Sequence, residues 1–185
     1  MNMKVFSILF FVLCFLQSTK AQDKFLTKEG YVSFFSHSIV EDIKADNNQV
    51  LSIIDTTTHK VAIQMLMRSF MFEKALMQEH FNENYLESYK YPKATFSGKI
   101  MNFETLNDQN TETEIVGELT VHGETKEIST KVNIKMEDDE IVLEGNFKVE
   151  VADFNIKIPA IVRNNIAKTI KVSFELHHKP YNQQQ

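Results

Sequence analysis

The sequence predicts an all-β domain of eight antiparallel strands, best arranged as an up-and-down barrel, with a short helix between the third and fourth strands. Three observations carry that reading. Eight segments alternate apolar and polar residues with the period of a strand. Short polar, turn-forming clusters separate most of them. Only one long stretch, Arg68 to Gly98 (RSFMFEKALMQEHFNENYLESYKYPKATFSG), lacks that alternation over most of its length.

The start of the chain stands apart from this pattern. Lys4 gives a positive beginning, Val5 to Leu16 is an apolar run broken only by Ser7, and Thr19 and Ala21 put small residues at minus three and minus one of a cleavage site. These features predict a secretory signal peptide over residues 1–21, cut after Ala21, and hence a periplasmic or secreted protein. The run is shorter than the roughly 20 residues a membrane-spanning helix needs, which argues against stable membrane insertion. The single cysteine, Cys14, leaves with the signal, so the mature domain, residues 22–185, must be held by its own core without a disulfide. With Lys4 and Lys20 gone, it carries 18 basic against 25 acidic residues, a net of −7. Nucleic acid is a poor partner for such a surface.

The first strand is read at Tyr31 to Phe35 and the second at Gln49 to Ile54, ended by Asp55-Thr56-Thr57-Thr58. In the third, Val61, Ile63, Met65 and Met67 share one face while Gln64 and Arg68 share the other. Then the period changes. Ser69 as N-cap, followed by Phe72, Ala75 with Leu76, Met77, Phe81 and Tyr85 at three- and four-residue spacings, predicts an amphipathic helix over about Phe72 to Phe81. Such a helix either packs on the sheet as a connector or covers a barrel mouth. Tyr91-Pro92 forces an extended entry into the fourth strand, Ala94 to Ile100. A polar loop, Asn107 to Thr113, precedes the fifth strand, Ile115 to Val121, which Gly123-Glu124 turns into the sixth, Ile128 to Met136. Glu137 to Glu140 is a solvated turn before the seventh, Ile141 to Val151, and Gly117 and Gly145 mark close approach or coiling. Ile158 to Lys168 is left open between a loop and a helical turn. Ile170 to Leu176 is the eighth strand, and Asn182 to Gln185 is read as a frayed tail.

A sandwich and a closed barrel both bury eight one-sided strands. Consecutive strands joined as a meander favour the barrel, whose interior at this strand number holds side chains or one small ligand. An apolar lining would select an apolar ligand.

Three strings carry a family resemblance: LMQEHFNENYLESYKYPKATFSGKI from Leu76 to Ile100, ELTVHGETKEI from Glu118 to Ile128, and SFFSHS from Ser33 to Ser38. The chain resembles the YceI family of secreted bacterial proteins over about Thr27 to Lys179. Where many members carry an Arg-Asp-x-His-Leu-Arg-type segment, this chain reads MLMRSFMFEKALM from Met65 to Met77. The resemblance implies an eight-stranded antiparallel lipocalin-like barrel whose apolar tunnel holds a long isoprenoid or fatty chain. It implies no catalytic residues, no metal and no cofactor.

The expected lining is Met65, Met67, Phe72, Leu76, Phe81, Phe96, Leu119, Val132, Ile134, Phe147 and Phe174. Methionines are polarisable and adapt to a chain of variable shape, although each taken alone is equally a core filler. Arg68, His80, Tyr85 and Tyr89 fall near the expected mouth.

An enzyme is the rival reading, and the residues argue against it. His177 and His178 are strand neighbours pointing to opposite faces, which spoils joint chelation. His80 with Glu79 lacks the second histidine of a zinc-protease helix. His37 between Ser36 and Ser38 is not a nucleophile–base geometry, and no Gly-x-Ser-x-Gly elbow occurs. The alternative within the non-enzymes is a cell-envelope interaction or stress-response module in which lipid is incidental, with Glu137-Asp138-Asp139-Glu140 as a docking patch. Those four acids lack the alternating spacing of a calcium loop. Pairing into a homodimer is left open.

Overall fold

The computed structural model describes residues 23–37, 41–105, 111–159 and 167–181. The signal segment 1–21, loop residues 107–110, residues 160–166 and the tail 182–185 lie outside the described residues, as does Ser38. In chain order the elements are β1 (Lys24–Ser36), β2 (Ile43–Asp55), β3 (Lys60–Leu66), β4 (Met71–Phe72), α1 (Ala75–His80), β5 (Lys93–Ile100), β6 (Thr111–Val121), β7 (Glu124–Glu137), β8 (Glu140–Glu150) and β9 (Thr169–Pro180). Each barrel strand pairs antiparallel with the next in the order β1-β2-β3-β5-β6-β7-β8-β9, and β9 returns to β1. The result is a closed barrel of eight strands, with the two-residue β4 added alongside β2. Closure leaves no unpaired edge. Among the described residues no helix is long and apolar enough to cross a membrane.

Both of the first two strands run longer than their alternation indicates, because each contains a bulge. The β1–β2 register shifts between Thr27 and Gly30 and again between Gly30 and Val32. The Thr27 hydroxyl accepts from the Glu29 N–H at 3.3 Å, and the Asn47 side-chain oxygen Oδ1 accepts from the Gln49 N–H at 2.8 Å. Each bond stabilises one extra residue and flips the phase of the strand that follows. With polar Thr27, Asn47 and Ser52 buried on the inner face, the apolar period is hidden there.

The helix also starts later than its spacing suggests. Met71 and Phe72 pair with Asp46 and Ala45, which holds this stretch extended and delays the helix to Ala75. Ser69 lies in a 3-10 turn, Met67–Ser69, that ends β3 after Leu66, and its hydroxyl bonds Gln49 at 3.0 Å rather than capping a helix. Past His80 the chain continues as a π-turn, Phe81–Tyr85, where the Leu86 N–H reaches back to the Phe81 carbonyl at 2.9 Å.

One half of the barrel interior is solid. At the end carrying the β2–β3 and β7–β8 turns, Ile54, Val61, Ile100, Val132, Ile134, Ile141, Leu143 and Leu176 are buried. Two aromatic rings fill what the glycines leave. A Cβ on Gly98 would lie 2.7 Å from the Phe96 ring and one on Gly117 2.9 Å from it, while a Cβ on Gly145 would meet the Phe174 ring at 2.8 Å. Gly98 and Gly117 face each other across β5 and β6, and a Cβ on Gly117 would lie 2.4 Å from the Gly98 Cα and the Ser97 carbonyl. Backbone cannot yield as a flexible side chain does. Gly117→Val is therefore expected to lower stability by about 3 kcal/mol, the upper end for overpacking, read as a fall in the urea midpoint.

Candidate ligand cavity

The other half of the interior is hollow. At the end carrying α1, the β6–β7 hairpin and the β8–β9 connection lies a cavity of about 350 Å³. This is the small end of the roughly 300–1,000 Å³ usual for ligand pockets. Its walls come from the helix-proximal ends of the strands, from Met65 and Met67 on one side to Phe147 and Val149 on the other. The helix forms its roof. Met77, Phe81 and Tyr85 follow one another at four-residue spacing and turn inward, so a helix that begins late still presents an apolar stripe.

Four phenylalanines fasten this roof to the rim. Phe81 stacks on Phe34 with centroids 5.4 Å apart, and Phe70 and Phe72 pack against it at 5.8 and 5.0 Å. Such offset and edge-on pairs each add roughly 0.5–1.5 kcal/mol beyond area burial. Lys74, just before the helix, forms an ion pair with Glu41 at the start of the β2 approach. The helix thus covers the barrel mouth, the second of the two roles its sequence allowed.

Of the described lining residues, four carry a polar side chain: Ser36, Glu41, His80 and Tyr85. The buried Ser36 hydroxyl accepts from the Ala167 N–H at 3.2 Å. Burial pushes the Tyr85 phenol above its ordinary value. His80 and Tyr85 have no hydrogen-bond partner among the described residues. Arg68 and Tyr89, expected at the mouth, instead pair on the outer surface, the guanidinium 4.3 Å from the ring centroid.

The expected lining divides into three groups. Met65, Met67, Phe72, Phe81, Leu119 and Phe147 stand on the cavity wall. Phe96, Val132, Ile134 and Phe174 belong to the solid half, where the glycine contacts draw the two rings down, and they do not reach the cavity. Leu76 is a correction: it is 60% exposed, because the stripe through Met77 and Phe81 leaves it about 100° round the helix, pointing to solvent. Sequence reasoning passed over Phe34, Phe70, Ser36 and Glu41. Phe34 could have been found as the inward partner of Val32 on the first strand, whereas Phe70 lies in an irregular segment with no period to betray it.

His177 and His178 do face opposite sides: the first bonds Glu175 at 2.9 Å outside, the second is buried. His37 bonds Asp42 at 2.6 Å. Among the described residues no group of three histidine, cysteine or acidic side chains could hold a metal ion. Two acids of the turn after β7 pair with strand lysines, Glu137 with Lys135 at 2.7 Å and Glu140 with Lys179 at 3.4 Å.

A closed antiparallel barrel, solid at one end and hollow under a helical roof at the other, defines the class of single-cavity β-barrels. The family model of the YceI-like domain matches residues 22–178, and the chain belongs to that family. Solved structures agree on the fold. A polyisoprenoid binding domain from Saccharophagus degradans, implicated in plant cell wall breakdown, is 15% identical and superposes with a TM-score of 0.74, covering 86% of this chain and 99% of that one. BcnA of Burkholderia cenocepacia is 15% identical with a TM-score of 0.68, over 80% and 95% of the two chains. The YceI protein of Campylobacter jejuni is 18% identical with a TM-score of 0.58, over 80% and 90%. No curated protein matches the chain.

Proposed function

We propose that this protein is a binding protein, not an enzyme, that holds one long apolar chain of isoprenoid or fatty-acid-like lipid in its barrel. The observation that carries the reading is the cavity: a hollow half-barrel in which, among the described residues, only Ser36, Glu41, His80 and Tyr85 interrupt an apolar wall. Each methylene buried there contributes roughly 0.8 kcal/mol before the costs of association, so a chain of ordinary length has ample driving force. The four polar groups gather around the helix and the β1–β2 connection, which orients a polar head toward the roof and the chain toward the solid core. That one structural neighbour is a polyisoprenoid binding domain supports isoprenoid as the ligand class. The N-terminal pattern, cut after Ala21, supports a periplasmic or secreted location for a single domain over residues 22–185.

Native mass spectrometry of protein exported by its own host and purified without detergent is expected to return one single-chain lipid per barrel. An empty protein that also refuses a fluorescent fatty acid would overturn the reading.

A further inference from the structure

His122 occupies the two-residue turn of the β6–β7 hairpin and is buried, with 8% exposure. Its ring meets two other segments. Nδ1 lies 3.0 Å from the carbonyl oxygen of Phe154, and Nε2 lies 2.9 Å from Oε2 of Glu87. The Tyr91 ring packs edge-on against it with centroids 4.4 Å apart. A carbonyl oxygen only accepts, so Nδ1 must carry a hydrogen. An ionised carboxylate also only accepts, so either Nε2 carries a second hydrogen or Glu87 holds a proton and donates it. In both cases the pair binds one proton more than a neutral imidazole and a carboxylate do. Without that proton the Nε2 lone pair faces a carboxylate oxygen, and the contact becomes repulsive.

The segments joined here bound the cavity. Glu87 follows Leu86, a roof residue on the cavity, and Phe154 lines it from the β8–β9 connection. Glu87 holds a left-handed backbone, φ 43°, which a non-glycine residue keeps only when its surroundings compensate. Its side chain is 48% exposed and can leave for water. From the same loop, Lys90 and Tyr91 also face the pair: the Lys90 ammonium lies 4.8 Å from the Tyr91 centroid, and Tyr91 and Glu87 both raise its pKa. Asp153, in a second 3-10 turn at Val151–Phe154, and Glu124 of the hairpin are exposed and form no ion pair with His122.

We propose that His122 and Glu87 form a proton-held latch that fastens the end of the helical roof over the cavity and releases it when the shared proton is lost. The gating of a ligand rests on the binding reading above; the latch itself is a property of the protein alone.

Two measurements on the mature chain test the two parts. Between pH 5 and 9, NMR follows the His122 ring while hydrogen exchange, corrected for its intrinsic pH dependence, follows the Leu86 and Ser88 amides, which bond Phe81 and Asn82. Protection is expected to fall about tenfold or more as the shared proton is lost, the factor one charge-assisted hydrogen bond carries. In Glu87→Gln the side-chain amide can donate to a neutral imidazole, so protection should stay at the closed level across the range. An equal step in Glu87→Gln, or amides whose protection does not change between pH 5 and 9, would each overturn the latch. Release of N-phenyl-1-naphthylamine, uncharged over this range, should accelerate with the same midpoint. If the dye binds and its release ignores the titration, the gating role is overturned; if it never binds, the cavity reading fails while amide exchange still decides the latch.

Discussion

Lowering the pH from 7 to 4 is expected to remove about 3 kcal/mol of unfolding free energy through a single residue, His178. This side chain is fully buried at the solid end of the barrel. Its Nδ1–H donates to the Ile141 carbonyl at 3.0 Å, and Nε2 accepts from the Ser52 hydroxyl at 2.8 Å. The neutral ring is therefore satisfied on both sides, and a second ring proton would displace the hydroxyl's own. Burial holds its pKa down to about 4, although the carbonyls of Ile141 and Leu176 pull the other way. The unfolded chain takes up the proton near pH 6.5, well before the folded one. Stability from this site is thus complete above about pH 6.5, falls by about 1.4 kcal/mol per pH unit below it, and levels off below the folded pKa. Urea melts at pH 7, 5.5 and 4 of the wild type and of His178→Gln check this, since other titrating groups cancel in the difference. The two stabilities should converge toward pH 4; a constant gap would refute the assignment.

The two buried histidines are held in different ways by their surroundings. His178 has a hydroxyl that can adapt its hydrogen to a neutral ring. His122 faces a carbonyl and a carboxylate, which hold it only while the pair carries the extra proton. Acid therefore fastens the roof through the latch while weakening the far end of the barrel, so loss of fold and loss of ligand need not share a midpoint.

How much of this was legible in the sequence depended on whether a residue's role was periodic. Within the strands from Ala94 to Leu176 the apolar residues alternate, and strands β5 to β9 fall close to where the pattern puts them. Eight such segments fitted a sandwich or a barrel, and their meander order favoured the barrel that the strand pairing shows. The pattern failed where local hydrogen bonds reset the phase, at Thr27 and Asn47, and where pairing of Met71 and Phe72 with β2 overrode a helical spacing. It could not divide the interior into solid and hollow halves either. Phe96 and Phe147 are equivalent by alternation, but Phe96 lies across Gly98 and Gly117 while Phe147 borders the void. What a ring does there depends on glycines in a neighbouring strand, a relation across sequence that periodicity does not carry. The signal of His122 was weaker still, since a histidine at a hairpin tip reads as exposed until two distant loops close over it.

Ala94→Phe is expected to weaken lipid binding by more than about a hundredfold while leaving the fold intact. Ala94 is buried on β5 with its methyl group on the cavity wall, beside Met65 across the β3–β5 pair. A phenyl group here enters space that is already empty, so the usual strain of small-to-large substitution is small. It displaces four or five ligand methylenes at roughly 0.8 kcal/mol each, or about 3–4 kcal/mol of affinity. The matching control is Leu143→Ala, fully buried in the solid half and away from the cavity. That change should cost about 2–5 kcal/mol of stability and leave affinity nearly unchanged. Equilibrium titration with a fluorescent fatty acid and urea unfolding of both variants separate the effects. If lipid occupies the hollow half, one variant loses ligand without stability and the other loses stability without ligand; equal affinity in Ala94→Phe and wild type would place the ligand elsewhere on the protein.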